Sequence, residues 1–443
     1  MEEIDILVVN GRILTFDEHD RVIPGGAVAI RSGQILALGE TPFLLSRYHA
    51  GKVIDANGGI VMPGLINAHT HAAMTCFRGI ADDMDVLNWL NNYIFPAETR
   101  NVNPELAYWG SLLACAEMIK SGTTTFCDMY IFEDETACAA KEAGMRCLIG
   151  EVLFDFPSAN SKTPEEGLAY TRRLIRKWAD DPLVNIVVEP HALYTCSQSL
   201  LQQAKDLARE HDLPLAMHLL ESKEEINLLD EKLGMKATHY LRDMGLLAPS
   251  FIAFHGVYLD DEDMTIFADY GCKVVHNPGS NMKLASGIAP AAEMIRRGIP
   301  VALGTDGAAS NNNLDMFQEL DSAAKLGKLA CLDPTAMSAE TVLRMATCRG
   351  ATVLGMEDRT GSLKPGMQAD LILIDSNKPH LTPMYHANSH LVYAANGSDV
   401  DTVLIHGKIV MEKRRLTTIN EERIMAEVRR IAGRIGASLG LRE

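Results

Sequence analysis

The sequence predicts a (β/α)8 barrel of parallel strands, of the TIM type, carrying a small β-sandwich domain built from both chain termini. Three observations carry this expectation. Between residues 61 and 360, eight short apolar segments alternate with longer helical patterns, as a ring of βα units requires. Residues 1–60 and 361–443 share another texture, short strand-like runs punctuated by Gly and Pro. Histidine or aspartate recurs at the carboxyl end of most of the eight apolar segments, the end where barrels of this kind carry their chemistry.

The first 60 residues read as "IDILVVNGRILTF", "GGAVAIRSGQILALG" and "KVIDANGGIV", with Asn10-Gly11 as a hairpin signal. From Gly361 the pattern returns in "GSLKPGMQADLILID" and "VDTVLIHGKIVMEKR". Two β-rich ends around a different middle predict one β domain, residues 1–60 and 361–443, flanking a barrel over 61–360. The last stretch places Ile424, Val428, Ile431 and Ile435 at helical spacing and predicts an amphipathic helix packed on the body.

The eight strand candidates are, in order, "GIVMPGLINAH", "TTTFCDMY", "RCLIGEVLF", "NIVVEPHAL", "PLAMHLLE", "FIAFHGVYL", "CKVVHNPG" and "PVALGTDG". Helical patterns such as "ELAYWGSLLACAEMIKSG" and "QSLLQQAKDLAREHD" lie between them. The competing architecture is a doubly wound open sheet. No G-x-G-x-x-G or Walker motif follows the first strand, so no nucleotide cofactor is expected.

Composition narrows the function classes. The chain has 443 residues, 47% hydrophobic and 22% charged, with a net charge of −17. Such an acidic chain is a poor partner for a nucleic acid polymer, which needs Lys and Arg against its phosphates. No apolar run reaches the roughly 18 residues that span a bilayer, and the acidic start MEEIDILVV lacks a signal-peptide pattern. Nine cysteines without a C-x-x-C pair read as reduced thiols of a cytoplasmic protein. Apolar helix faces on such barrels often associate, so a homo-oligomer is compatible with the sequence, which does not locate an interface.

Strand one ends in His69 and His71, strand four in His191, strand five in His218, strand six in His255, strand seven in His276-Asn277 and strand eight in Asp306. Residues i and i+2 of a strand point to one face, so His69 and His71 can share one cation. His218 and Asp306 complete a set of three imidazoles and a carboxylate. That set suits one divalent metal, Zn2+ first and Fe2+ second, with a coordination position left for water. The alternative is a group of polar residues hydrogen-bonded among themselves at a strand rim.

The segments "PGLINAHTHAAMTCFRGIADDMDVLNWL", "HLLES", "HNPGSNMKLASGIAP" and "GTDGAASNNNLDMFQEL" resemble the amidohydrolase superfamily. Within it the chain is most similar to the 5′-methylthioadenosine/S-adenosylhomocysteine deaminases, over its whole length. The resemblance implies His69, His71, His218 and Asp306 as metal ligands, Glu221 and His255 as proton-transfer residues, and Glu98 and His191 as substrate contacts. Strand four lacks the lysine that bridges two metals in other superfamily members, which implies a single ion.

The reaction so implied is hydrolytic deamination of an adenine ring, in 5′-methylthioadenosine, S-adenosylhomocysteine or adenosine. A water activated by the metal attacks C6. Asp306 or His255 takes its proton. Glu221, three residues past His218 and beyond the strand end, protonates N1 and then the departing ammonia, a use of a non-ligand Glu that the unrelated zinc deaminases share. Trp89 lies in a lid-like segment after strand one, where its indole could stack on a purine or simply pack on its own scaffold. Glu98 can accept two bonds from a ribose diol, and Asn160 is a further candidate contact. The loop "EVLFDFPSANSK" offers no Arg for a homocysteine carboxylate, only Lys162, while Arg78 and Arg100 lie elsewhere. Hydrolysis of another heterocycle, guanine or a triazine, is the alternative enzyme reading. A metal-dependent binding or scaffold protein is the non-enzymatic one.

Overall fold

The barrel opens at Leu65–Thr70 and continues through Thr123–Tyr130, Arg146–Leu153, a fourth strand in two pieces (Val184–Ile186 and Glu189–Pro190), Leu215–Leu219, Phe251–His255, Lys273–His276 and Val301–Leu303 in this computed structural model, which describes residues 1–440. All ladders between these neighbours are parallel, and isolated parallel bridges Val188–Leu215 and Ala192–His218 join strand four to strand five. Every residue of strands one, two, three, five and six is buried. Both faces of each strand are covered, which is why these segments read as near-continuous apolar runs.

The ring closes between strands eight and one through side chains as well as backbone. Thr305 N–H donates to Asn67 Oδ1 at 2.9 Å, and Asn67 Nδ2 donates to Thr305 Oγ1 at 2.7 Å. Asp306 N–H donates to the His69 carbonyl at 2.9 Å. Helices fill the connections where the sequence marks them. Asn103 caps Pro104–Lys120, Thr163 caps Pro164–Trp178 and Ser197 caps Gln198–Glu210, each through its side chain. Asp260 and Asp263 form a capping box at Asp261–Tyr270, which ends at Gly271 with φ +66.

Two strand-level expectations are corrected. The first candidate strand breaks at Gly64. Ile60–Pro63 joins the terminal β domain, pairing antiparallel with Leu371–Ile374, and only Leu65–Thr70 enters the barrel. A Cβ at Gly64 would lie 2.1 Å from Thr124 side-chain atoms, so the chain can cross between domains there only as glycine. Asn10-Gly11 is not a hairpin turn. The strand Glu2–Leu14 runs through it as a bulge, with Asn10 at φ +57. Tertiary contacts override the local signal: Asn10 Nδ2 donates to Asp55 Oδ1 at 3.0 Å, its N–H to Thr41 Oγ1 at 2.9 Å, and Gly11 sits against Val61.

Both termini contribute to one continuous nine-stranded sheet in the β domain. It curls so that Val28 and Ile30 from one end and Leu371, Leu373 and Leu404 from the other share an apolar core. The Ile35–Met367 backbone hydrogen bond of 2.8 Å closes the curl. The final helix, Glu421–Leu439, buries Ile424, Val428, Ile431 and Ile435 against Pro104–Lys120 and Phe95–Asn101. Val428, Ile431 and Ile435 share one apolar cluster with Trp89 and Ile94 of the helical segment after strand one. Among the described residues no helix is long and apolar enough to cross a membrane.

Arg146, at the base of barrel strand three, holds the terminal sheet. Its Nε donates to Asp370 Oδ2 at 2.8 Å and its Nη2 to Oδ1 at 3.2 Å, with both side chains essentially inaccessible. Asp370 Oδ1 also accepts from the His406 N–H at 2.6 Å. Removing one partner leaves a buried charge unpaired, which costs about 3–5 kcal/mol. Asp370→Ala is expected to lower unfolding stability by about that much in a denaturant titration, and a loss under about 1 kcal/mol would contradict this role for the pair.

Candidate active site

The imidazoles of His69, His71, His218 and His255 and the carboxylate of Asp306 converge at the carboxyl ends of strands one, five, six and eight. Ring centroids of His69 lie 4.8 Å from His71, 5.0 Å from His218 and 5.6 Å from His255. Nε2 of His71 and of His69 approach Asp306 Oδ1 at 3.1 and 3.4 Å. Two overlapping triads, His69–His218–His255 and His69–His71–Asp306, each bring their ligand atoms within 4.8 Å of one another.

Each ring is fixed by its other nitrogen. His71 Nδ1–H donates to the Met129 carbonyl. His218 Nδ1–H donates to the His191 carbonyl at 3.0 Å, and His255 Nδ1–H to Asn281 Oδ1 at 2.9 Å. The Nε2 atoms of His218 and His255 are thereby left as lone-pair donors, while that of His71 points at Asp306, and such anchoring of the second nitrogen is the usual outer-sphere arrangement for metal-ligating histidine. His69 stacks on Phe254 at 3.9 Å, and neither of its ring nitrogens has a hydrogen-bond partner although both are buried. Buried nitrogens are rarely left so. Orphaned imidazole nitrogens beside a carboxylate fit a divalent cation.

Two of the rings hold the neutral form that binds a metal, and the third shares a proton with Asp306 that a cation would displace. Burial pushes His69 down to about 3 and His218 well below its ordinary value, so both rings are neutral. Burial also opposes charge on His71, but the bonds and charge of Asp306 outweigh it and raise the ring to about 9. Burial alone would raise Asp306, yet the close approach of the His69 and His71 rings holds it well below the carboxylate range. Its Oδ2 accepts from Ser280 Oγ at 2.6 Å and Ser310 Oγ at 2.8 Å.

Backbone conformation aims two of these groups. His255 has φ +71 and Asp306 φ +63, left-handed values that cost a non-glycine residue roughly 1 kcal/mol or more. Leu220, before Glu221, has φ +52. There Glu225 accepts from the Leu220 and Glu221 N–H groups at 3.1 and 2.7 Å and fixes the turn.

Glu221 is buried, and its carboxylate makes no hydrogen bond among the described residues. Oε1 lies 3.9 Å from His255 Nδ1. Burial raises its pKa, against the opposing pull of His255. A cavity with about 610 Å³ of empty space, part of it open to solvent, extends from the histidines and Asp306 past Glu221, His191, Trp89 and Glu98. His191 is pushed down to about 3 by burial, and its Nδ1 pairs with Thr195 Oγ1 at 2.9 Å. Glu98 accepts from the Tyr130 hydroxyl at 2.7 Å, and burial raises it to about 7. Trp89 is buried, and its indole N–H has no partner among the described residues.

Asn160 is not brought to this cavity. Its Nδ2 donates to Glu151 Oε1 at 2.7 Å, because the buried Glu151 carboxylate captures the amide. His276 sits at its strand end but outside the cavity lining, its pKa lowered to about 4 by burial. Several side chains at the site were not singled out from sequence. Tyr130, Phe154 and Tyr194 line the cavity. Asp128 Oδ1 accepts from Thr70 Oγ1 at 2.5 Å and from the Ala72 N–H at 2.6 Å, bracing the His69–His71 segment from both sides. The strand-end rule applied to "TTTFCDMY" points to Asp128 and Tyr130. Nothing local marks Asn281, Ser280 or Ser310, whose partners are distant in sequence.

A parallel barrel with an imidazole–carboxylate cluster at its carboxyl rim defines a metal-dependent hydrolase architecture. The sequence profile of the Amidohydrolase family matches residues 60–410; the chain belongs to that family. It is 64% identical over 439 residues, 99% of each chain, to a protein of Syntrophus aciditrophicus named 5-methylthioadenosine/S-adenosylhomocysteine deaminase 1. It is 45% identical to the 5′-deoxyadenosine deaminase of Methanosarcina mazei, covering 97% of this chain and 98% of the relative. Among solved structures, an adenosine deaminase from Xanthomonas campestris with bound zinc superposes with a TM-score of 0.97 at 37% identity, covering 98% of this chain and 99% of that one.

Proposed function

We propose that the protein hydrolyses the C6–amino bond of the adenine ring in an adenosine-type nucleoside, 5′-methylthioadenosine, S-adenosylhomocysteine or adenosine, giving the inosine-type product and ammonia. The observation that carries this is Glu221, a buried carboxylate outside the ligand cluster yet facing the same cavity as His255 and Asp306. The names of the relatives at 64% and 45% identity support it. His69, His71, His218 and Asp306 would hold one divalent ion, with Zn2+ favoured over Fe2+ by the imidazole-rich donor set. When bound, that ion lets a water molecule give up a proton near neutral pH.

The protein groups do the rest. Asp306, its Oδ2 fixed by two serine hydroxyls, and His255, oriented through Asn281, are the two acceptors for the water proton. Glu221, held toward its protonated form by burial, donates to N1 as oxygen adds to C6. The carboxylate so formed takes the proton of the new C6 hydroxyl, delivers it to the amino group as the C6–N bond breaks, and is reprotonated by the water proton held on Asp306 or His255, whose ring lies 3.9 Å from Glu221. The unpartnered Trp89 indole N–H offers a donor to a ring nitrogen, His191 contacts the sugar, and the Glu98 carboxylate takes the ribose diol. Cys76, Cys127 and the other seven cysteines are all unpaired, which supports a reducing cytoplasmic setting.

Ultraviolet absorbance and ammonia release on the metal-loaded protein test the reading. Turnover of adenosine-type nucleosides but not of guanine or a chlorotriazine is expected; turnover of guanine or triazine instead would move the activity to another heterocycle, and none with any would remove the enzyme. Glu221→Gln is expected to retain metal and lose about 100- to 10,000-fold in kcat, and full activity would take Glu221 out of the mechanism. The diol needs an ionised acceptor, and burial raises Glu98 to about 7. Substrate affinity should therefore rise with pH through that value, and the dependence should vanish in Glu98→Gln. A KM that is flat between about pH 6 and 8 would contradict this role.

A further inference from the structure

The cavity does not end at Glu98. A second, outer chamber shares Leu90, Phe95, Ile131, Phe154 and Glu98 with it and continues outward to Phe156 and Leu228. Phe154 and Phe156 are stacked with centroids 4.6 Å apart, and Phe95 meets Phe156 at 5.8 Å and Phe154 at 6.4 Å. Phe156 is 39% exposed, a large aromatic side chain kept at a solvent-facing mouth. Glu98 is the one acidic or basic side chain lining the chamber among the described residues.

We propose that this outer aromatic chamber receives the 5′ substituent of the nucleoside and selects an apolar one, a methyl or methylthio group, over the zwitterionic homocysteine tail. The inference rests on the deaminase reading and deepens it. With C6 at the histidine cluster and the diol on Glu98, the 5′ carbon is directed away from the cluster into the outer chamber. A thioether sulfur is well matched by aromatic rings. A homocysteine carboxylate would need a cationic fork, and the candidates are committed or elsewhere. Arg78 is paired with Glu117 and the Asn312 carbonyl. Arg100 and Lys162 are not in the lining. Instead the tail would meet three phenyl rings and the carboxylate of Glu98, a setting that leaves its charge without a partner.

The test compares kcat/KM on the metal-loaded protein for adenosine, 5′-deoxyadenosine, 5′-methylthioadenosine and S-adenosylhomocysteine, in the native chain and in Phe156→Ala and Phe156→Arg. The exposure of Phe156 makes both variants compatible with folding. The native protein should prefer the methylthio nucleoside to S-adenosylhomocysteine by roughly 10-fold or more. Phe156→Ala should lower the ratio of methylthio to 5′-hydroxyl substrate. Phe156→Arg should shift the ratio toward S-adenosylhomocysteine by about 10-fold. Equal or better use of S-adenosylhomocysteine by the native protein, or ratios unmoved by either substitution, would overturn the chamber assignment while leaving the deaminase reading intact. Absence of turnover with every nucleoside would overturn the deaminase reading, and this inference with it.

Discussion

The seam between the first and last barrel strands is the constraint on which the site depends. Asn67 and Thr305, 238 positions apart, exchange two hydrogen bonds, and just beyond them the Asp306 N–H donates to the His69 carbonyl. Gly304 makes the approach possible. A Cβ there would lie 2.6 Å from Asn277 Oδ1 and 2.8 Å from the His69 backbone nitrogen. Closing the ring therefore also assembles the imidazole–carboxylate cluster. A shift of one residue in the pairing of strand one with strand two would turn His69 to the opposite face and empty the cluster.

Around this seam the protein spends backbone strain and burial on orientation. Left-handed φ at His255 and Asp306 turns each side chain over the rim. Hydrogen bonds from Nδ1 leave Nε2 of His218 and His255 free and aim that of His71 at Asp306. Burial keeps His69 and His218 neutral, the form in which imidazole binds a metal. The same burial raises Glu221, so ligand lone pairs and a proton donor coexist within one cavity. The lid adds Trp89 and Glu98, and the C-terminal helix packs behind it.

The barrel was legible in the sequence because parallel strands buried on both faces read as apolar runs, and because their polar residues fall at one end. The same rule brought His69, His71, His218, His255 and Asp306 to the page. What stayed hidden depends on non-local contacts. The Gly64 break is set by Thr124 packing against it, and the Asn10-Gly11 bulge by Asp55, Thr41 and Val61. Asn160 has the right chemistry for a ligand contact, but Glu151 holds it outside the cavity. The aromatic outer chamber joins a lid residue, Phe95, to Phe154 and Phe156 after strand three, a meeting that no local pattern encodes.

The central claim is that one divalent ion sits on the seam with Glu221 beside it and unligated. Anomalous diffraction from crystals of the metal-loaded protein tests this most directly. A single peak per chain is expected, with nitrogen ligands from His69, His71 and His218 and an oxygen from Asp306 at roughly 2.0–2.2 Å, and Glu221 facing the cavity outside that shell. Two peaks, a peak away from the seam, or Glu221 as a ligand would contradict it.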